Sequence, residues 1–200
     1  MKVKIKKEGK VETFKLINSW SDVTLETWLK LIDFETGTKT EEATETIAAL
    51  SDIPKKLIKE LSLSDVAVIM SKVGELQAKQ DTELKRIIEI NEVEYAFHPD
   101  LDSISLGEYA DIEQFIKNGI DKNLPELMAV LYRPIKIKKS DTLYIIDSYD
   151  GDIRLRAEEM KQMSAEQVQS ALVFFYTLGK VLSEIMPLYL MERLKETKTQ

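Results

Sequence analysis

The chain of 200 residues contains two segments with the same residue pattern, separated by a constant offset of 81 positions (104 − 23). The aligned pairs are Val23 with Ile104, Thr24 with Ser105, Leu25 with Leu106, Trp28 with Tyr109, Leu31 with Ile112 and Phe34 with Phe115. Each segment begins with a hydroxyl residue that can cap a helix, and apolar residues follow at helical spacing. The pattern therefore predicts a tandem duplication.

The order of predicted elements around these segments is also shared. Each copy is predicted to contain a β-hairpin, a capped helix, a second helix ending near a proline and a final helix capped by Ser62 or Ser164. The final helices correspond at an offset of 102 (164 − 62), so the second copy carries 21 additional residues (102 − 81). The alternative is two unrelated segments that obey the same capping and turn rules.

These patterns predict an α+β fold, predominantly helical, with two short β-hairpins. Residues 1–80 form the first hairpin-helix copy and residues 81–200 the second, with the insertion at about 136–156. The two copies are expected to share one compact unit and to be related by an approximate two-fold axis.

Composition excludes several classes of site. Cysteine is absent and histidine occurs once, so disulfides, thiolate metal sites and cysteine nucleophiles are excluded, and histidine chemistry would depend on His98 alone. The net charge of −7 argues against nucleic-acid binding as the main role. The lysines of the first strand alternate with apolar residues, which favours a solvated strand face over a DNA-binding arm. No membrane span and no cofactor are predicted.

Two motifs could carry chemistry, but each has a simpler interpretation. The stretch DSYDGD (147–152) has the oxygen ligands of a calcium loop, yet Tyr149 stands where an acid or Asn belongs, which favours an Asp-Gly turn. His98 precedes Pro99 and Asp100 and could be a general base, but a turn histidine is favoured because no nucleophile elbow or phosphate loop is found. The protein is therefore predicted not to be an enzyme.

The residues expected to matter are large aromatic side chains and arginines. Trp28, Tyr109 and Arg133 are predicted structural anchors, with the two aromatic residues as equivalent core positions. The insertion and the most apolar helix supply the candidate interface residues, which are Tyr144, Tyr149, Arg154, Phe174 and Tyr176. The insertion is expected either to contact a partner or to cover the protein's own core.

Three stretches of the second copy together resemble an uncharacterised family of virion and assembly proteins of tailed bacteriophages. They are ISLGEYADIEQF (104–115), NLPELMAVLYRPI (123–135) and MSAEQVQSALVFFYTLG (163–179), and the resemblance covers roughly residues 93–182. It implies a non-enzymatic structural component of the head–tail connector or tail region, contacting other phage structural proteins in a homo- or hetero-oligomeric assembly. The expected location is the virion, or the host cytoplasm during assembly. An assembly chaperone absent from the virion and a host-directed binding protein are the alternatives.

Overall fold

The structure is a computed structural model that describes residues 1–7, 10–33, 38–77 and 83–173. The elements of the first half are β1 (Lys2–Lys7), β2 (Lys10–Lys15), α1 (Leu25–Asp33), α2 (Lys39–Leu50), α3 (Lys55–Ile58) and α4 (Leu63–Gln77). Those of the second half are β3 (Ile87–Ile90), β4 (Val93–Phe97), α5 (Leu106–Lys117), α6 (Leu124–Leu131), β5 (Tyr132–Ser140), β6 (Leu143–Ile146), α7 (Arg154–Met160) and α8, which is described over 165–173.

The strands form two antiparallel sheets. One contains β1 and β2, and the other has the order β3-β4-β5-β6. Asn91 and Glu92 join β3 to β4 with φ values of 51° and 66°, the left-handed conformation of a tight two-residue hairpin turn. The turn of the first hairpin, at residues 8–9, lies outside the described residues. Helices with two small sheets confirm the predicted α+β class.

Backbone hydrogen bonds recur in the two halves at the offset found in the sequence. The N–H of Ile17 donates to the carbonyl of Leu50 at 3.0 Å, and the N–H of His98 donates to the carbonyl of Leu131 at 2.8 Å. These bonds tie the strand end of each hairpin to the end of the second helix. We refer to the described residues of 1–77 as the first repeat and to 83–173 as the second repeat.

The last turns before the final helices recur at the larger offset. The N–H of Leu61 donates to the carbonyl of Ile58 at 3.2 Å, and the N–H of Met163 donates to that of Met160 at 3.0 Å. The extra residues of the second repeat therefore lie between Arg133, which pairs with β4, and the end of α7. They form the outer part of β5, strand β6 and the loop that follows. The bounds of about 136–156 stay a prediction.

Each repeat has its own apolar core, and the two cores exchange one residue where the repeats meet. Leu25 of the first repeat is buried in the core of the second, whereas Ala165 of the second repeat is buried in the core of the first. The N–H of Leu25 donates to the carbonyl of Met163, and the N–H of Ala165 donates to that of Val23, both at 2.7 Å. The start of α1 thus pairs with the start of α8.

This junction lacks the counterpart that a two-fold axis would generate. The residues equivalent to Leu25 and Ala165 are Leu106 and Leu63, and they are 83% and 89% exposed. An approximate two-fold would bring these two positions together and bury them. The expected two-fold relation is therefore wrong for the described residues, because the junction is made on one side only.

The two aromatic residues predicted as equivalent anchors have different environments. Trp28 is half-buried and packs against both apolar cores, not against its own hairpin alone. Tyr109 is 48% exposed and belongs to neither core, which corrects the prediction. The inward face of α5 contains Glu108 and Ile112, and successive helical residues are rotated by about 100°, so burial of Glu108 turns its neighbour Tyr109 outward.

Candidate functional site

A cluster of three buried polar side chains lies in the second repeat. His98 follows β4, Glu108 lies in the first turn of α5, and Arg133 lies near the start of β5. They are 8%, 4% and 4% exposed. Arg133 Nη2 lies 2.7 Å from Glu108 Oε1, which makes a buried ion pair between helix and sheet. Arg133 is thus held by a carboxylate of its own chain.

Glu108 has a second role as part of the helix cap. Its Oε2 accepts a hydrogen bond from the backbone N–H of Ser105 at 2.8 Å, while its own N–H donates to Ser105 Oγ at 3.3 Å. This reciprocal arrangement is a capping box, and it starts the helix for which the sequence predicts a hydroxyl cap. Burial acts to raise the pKa of Glu108, but the hydrogen bonds from Ser105 and the charge of Arg133 outweigh burial and lower it. Glu108 is therefore ionised at neutral pH.

His98 lies beside the ion pair of Arg133 and Glu108. Its Nε2 lies 3.6 Å from Glu108 Oε1, and its Nδ1 accepts a hydrogen bond from the N–H of Asp100 at 3.3 Å. Burial lowers the pKa of His98 despite the opposing effect of the nearby carboxylate. A general base must reach its substrate, and this ring is 8% exposed. The geometry therefore favours a structural role for the cluster.

Tyr149 connects the insertion to this cluster. Its ring centroid lies 5.9 Å from the guanidinium carbon of Arg133, and its hydroxyl donates to Asp111 Oδ2 on α5. The ring also lies beside Gly107, where an added Cβ would meet it at 3.6 Å. Tyr149 was predicted at an intermolecular interface, but it is half-buried and makes these contacts within the chain.

Tyr144 also differs from its predicted place. It is 7% exposed, and its hydroxyl donates to the carbonyl of Phe97 at 3.0 Å. Successive residues of a strand point to opposite faces, so an inward Tyr144 leaves its neighbours Leu143 and Ile145 facing outward. The candidate interface residue is therefore part of the protein's own packing.

The outer face of the β5–β6 hairpin presents three exposed apolar side chains beside Lys139. Leu143, Ile145 and Ile137 are 59%, 55% and 49% exposed, and Ile137 is directly opposite Ile145 in the strand register. We call these three residues the hairpin face. The predicted interface residue, Tyr144, lies between Leu143 and Ile145 in the sequence, and the alternation of side chains along a strand is the signal that indicates its two neighbours instead.

The remaining predicted interface residues are peripheral or lie beyond the described chain. The side chain of Arg154 is 88% exposed, and its Nε lies 3.2 Å from Asp152 Oδ1. Phe174 and Tyr176 lie outside the described residues. In the stretch proposed either as a calcium loop or as a turn, Gly151 has a φ of 79°, as a tight turn requires.

A cleft of about 630 Å³ lies in the first repeat, between the end of β2 and the end of α2. The two carboxylates that line the cleft accept hydrogen bonds from backbone N–H groups. Asp22 Oδ2 accepts from the N–H of Asn18 at 2.9 Å, and Asp52 Oδ1 accepts from the N–H of Lys15 at 2.6 Å. Acidic groups used in this way stabilise loops. The cleft offers no paired acid and base among its lining residues.

Searches for related proteins add no assignment. No protein-family model, curated protein or solved structure matches the chain. Within the described ranges, no cluster of three or more His, Cys, Asp or Glu could hold a metal ion, and no helix has the length and apolar character needed to cross a membrane. The resemblance to phage virion and assembly proteins stays a prediction.

Proposed function

We propose that the protein is a non-enzymatic component of a tailed-phage virion, in the head–tail connector or tail region, and that it binds its partner through the hairpin face. The observation that carries this proposal is the group of three exposed apolar side chains, Ile137, Leu143 and Ile145, on a segment that the first repeat lacks. Adjacent exposed apolar residues on a folded surface are typical of protein-binding sites.

The position of β6 adds a second means of recognition. It is the outermost strand of its sheet, so one side of its backbone can pair with a strand of another protein. Lys138 Nζ of β5 lies 2.5 Å from Glu94 Oε1 of β4, and this ion pair ties the hairpin to the sheet. The same Nζ lies 3.1 Å from Oδ1 of Asp141, in the turn of the hairpin. A partner would therefore meet an ordered surface, and less conformational entropy is lost when such a surface binds.

The buried cluster supports the same proposal from inside the molecule. Arg133 lies at the base of β5, and it contacts both Glu108 of α5 and Tyr149 of the insertion. These contacts hold the insertion against α5. In this proposal, Glu108 and Arg133 hold the segment that carries the hairpin face in place and have no catalytic role.

The test is to replace the hairpin face while leaving its inward residues intact. Leu143→Ser with Ile145→Ser removes two of the three apolar side chains and keeps Tyr144. The matched control is Val68→Ser, since Val68 is 52% exposed on α4 and distant in sequence. Each gene replaces the original in the phage that encodes it, and purified virions are analysed by mass spectrometry.

We expect the protein in virions of the original and control phages and a strong loss of it from virions of the hairpin variant. Circular dichroism of the isolated variant should match the original. Normal incorporation of the folded hairpin variant would contradict the assigned surface. Absence of the original protein from purified virions would contradict a structural role and would favour an assembly chaperone or a host-directed protein.

A further inference from the structure

The junction between the two repeats provides a model for a contact between two molecules. Within the chain, the start of α1 pairs with the start of α8, and three backbone hydrogen bonds join them. The donors are Leu25, Glu26 and Ala165, and the acceptors are the carbonyls of Met163, Lys161 and Val23 at 2.7, 3.0 and 2.7 Å. Leu25 and Ala165 are both 0% exposed.

The equivalent positions in the other helices are open. In the second repeat, Leu106 at the start of α5 corresponds to Leu25, and in the first repeat, Leu63 at the start of α4 corresponds to Ala165. They are the two most exposed of the large apolar residues in the described chain, at 83% and 89%. Their N–H groups make no hydrogen bond within the described part of the chain, unlike those of Leu25 and Ala165.

We propose that molecules of this protein associate head to tail, with the start of α5 of one molecule bound to the start of α4 of the next. The contact would repeat the internal junction: Leu106 would enter the first-repeat core of the neighbour, as Leu25 enters the second-repeat core of its own chain. The N–H of Leu106 would donate to the neighbour's Leu61 carbonyl. The N–H of the neighbour's Leu63 would donate to the Ile104 carbonyl.

The starts of α4 and α5 are ordered in the single chain. Ser62 Oγ accepts from the N–H of Asp65 at 3.1 Å, and Ser105 Oγ accepts from that of Glu108 at 3.3 Å, so each helix start is capped and ordered. Ser164 caps α8 at the internal junction in the same way, through the N–H of Gln167 at 3.3 Å.

The two surfaces also carry complementary charge. Besides the buried Glu108, residues 100–113, which contain Leu106, include four acidic residues and no basic one. Residues 55–60, just before Leu63, include one glutamate and three lysines, of which Lys55 is paired with Glu45 of α2. Opposite charges on facing surfaces favour the pairing of unlike ends and disfavour the pairing of two Leu106 surfaces.

The geometry requires an assembly that grows in one direction. Each repeat would offer the start of its first helix to the last helix of the next repeat, within and between molecules alike. Such a contact joins two different surfaces and produces a ring if the rotation closes, or a filament if it does not. The inference does not depend on the hairpin face, so either proposal can fail while the other stands.

The experiment uses sedimentation velocity on the full chain and three variants, Leu63→Glu, Leu106→Glu and Leu155→Glu. Leu155 is 81% exposed on α7 and is the matched control. We expect the original and the control to form larger species as concentration rises, and each of the other two variants to remain monomeric.

The decisive sample is an equimolar mixture of Leu63→Glu and Leu106→Glu. One intact surface remains on each, and they are complementary, so the mixture should form a one-to-one dimer and nothing larger. That dimer would also show that both variants are folded. A monomeric original protein, a mixture that remains monomeric, or an assembly that either single variant leaves unchanged would overturn the proposal.

Discussion

The two repeats share backbone pairings but differ in the side chains at equivalent positions. The isolated β-bridge between Leu16 and Ser51 in the first repeat recurs as the pairing of Phe97 with Tyr132 in the second. The positions equivalent to His98, Glu108 and Arg133 are occupied in the first repeat by Ile17, Thr27 and Asp52. Backbone hydrogen bonds therefore persist, while the side chains at these positions change from an isoleucine, a threonine and an exposed aspartate to a histidine beside a buried ion pair.

The difference indicates why a buried ion pair can form at these positions of the second repeat. Burying a charge is costly unless a partner of opposite charge is buried with it. In the second repeat the insertion covers this region, with Tyr149 beside Arg133 and Tyr144 bonded to Phe97. In the first repeat the equivalent residue Asp52 is exposed and accepts a backbone hydrogen bond. The insertion and the ion pair are thus parts of one local arrangement.

The largest expected effect comes from removing one partner of the buried pair. Arg133→Met leaves the carboxylate of Glu108 buried without its counter-charge, and we expect the free energy of unfolding to fall by about 3–5 kcal/mol. Asp52→Asn at the equivalent first-repeat position should cost about 1 kcal/mol or less, because one hydrogen bond of an exposed group is weakened. Urea denaturation of both variants measures the difference.

A second variant separates the charge effect from loss of packing. Combining Arg133→Met with Glu108→Leu removes both charges and should recover much of the loss, reduced by the weakened cap at Ser105. Equal losses for Arg133→Met and Asp52→Asn would show that the two repeats are not energetically distinct at this position.

The next effect compares equivalent leucines. Leu25→Ala should lower the free energy of unfolding by about 3 kcal/mol, since a fully buried side chain is removed at the junction. Leu106→Ala should change it by no more than about 0.5 kcal/mol at concentrations where the chain is monomeric. Thermal or urea unfolding at low concentration provides both values. Similar losses in the free energy of unfolding for the two variants would indicate that both leucines are buried and would contradict the one-sided junction.

The smallest expected effect is the pH dependence of stability that His98 of the second repeat causes. Burial lowers the pKa of His98 in the folded state below its ordinary value of 6.5. As the pH falls, the imidazole of the unfolded chain is therefore protonated at a higher pH than that of the folded chain. The stability contribution is therefore complete above pH 6.5 and is lost as pH falls from 6.5 through the folded pKa. One proton changes stability by at most about 1.4 kcal/mol per pH unit.

Because the chain has one histidine, His98→Gln tests this dependence directly. The slope of stability against pH just below pH 6.5 should flatten in the variant, whereas the loss at lower pH from carboxylates such as Glu108 should remain. The first repeat has Ile17 at the equivalent position, and an isoleucine side chain does not titrate. An unchanged slope in His98→Gln would contradict the assigned effect of burial.

Local patterns in the sequence were sufficient for the elements and for the repeat. Capping residues at Thr24, Ser62 and Ser105, turn residues at 91–92 and apolar spacing depend on neighbours within a few positions, so they can be recognised without the fold. The offsets of 81 and 102 also predict where the insertion lies, because a duplication preserves the order of its elements.

The tertiary structure decided which side of each element is buried and where the repeats meet. Leu25 and Leu106 have the same local context, yet one is buried and the other exposed, because burial depends on whether a distant segment reaches it. The same reason explains why Tyr109 faces solvent, why Tyr144 faces inward and why Glu108 meets Arg133. Helix and strand periodicity determine which residues share a face, but the contacts made by that face are set by packing between segments far apart in the chain.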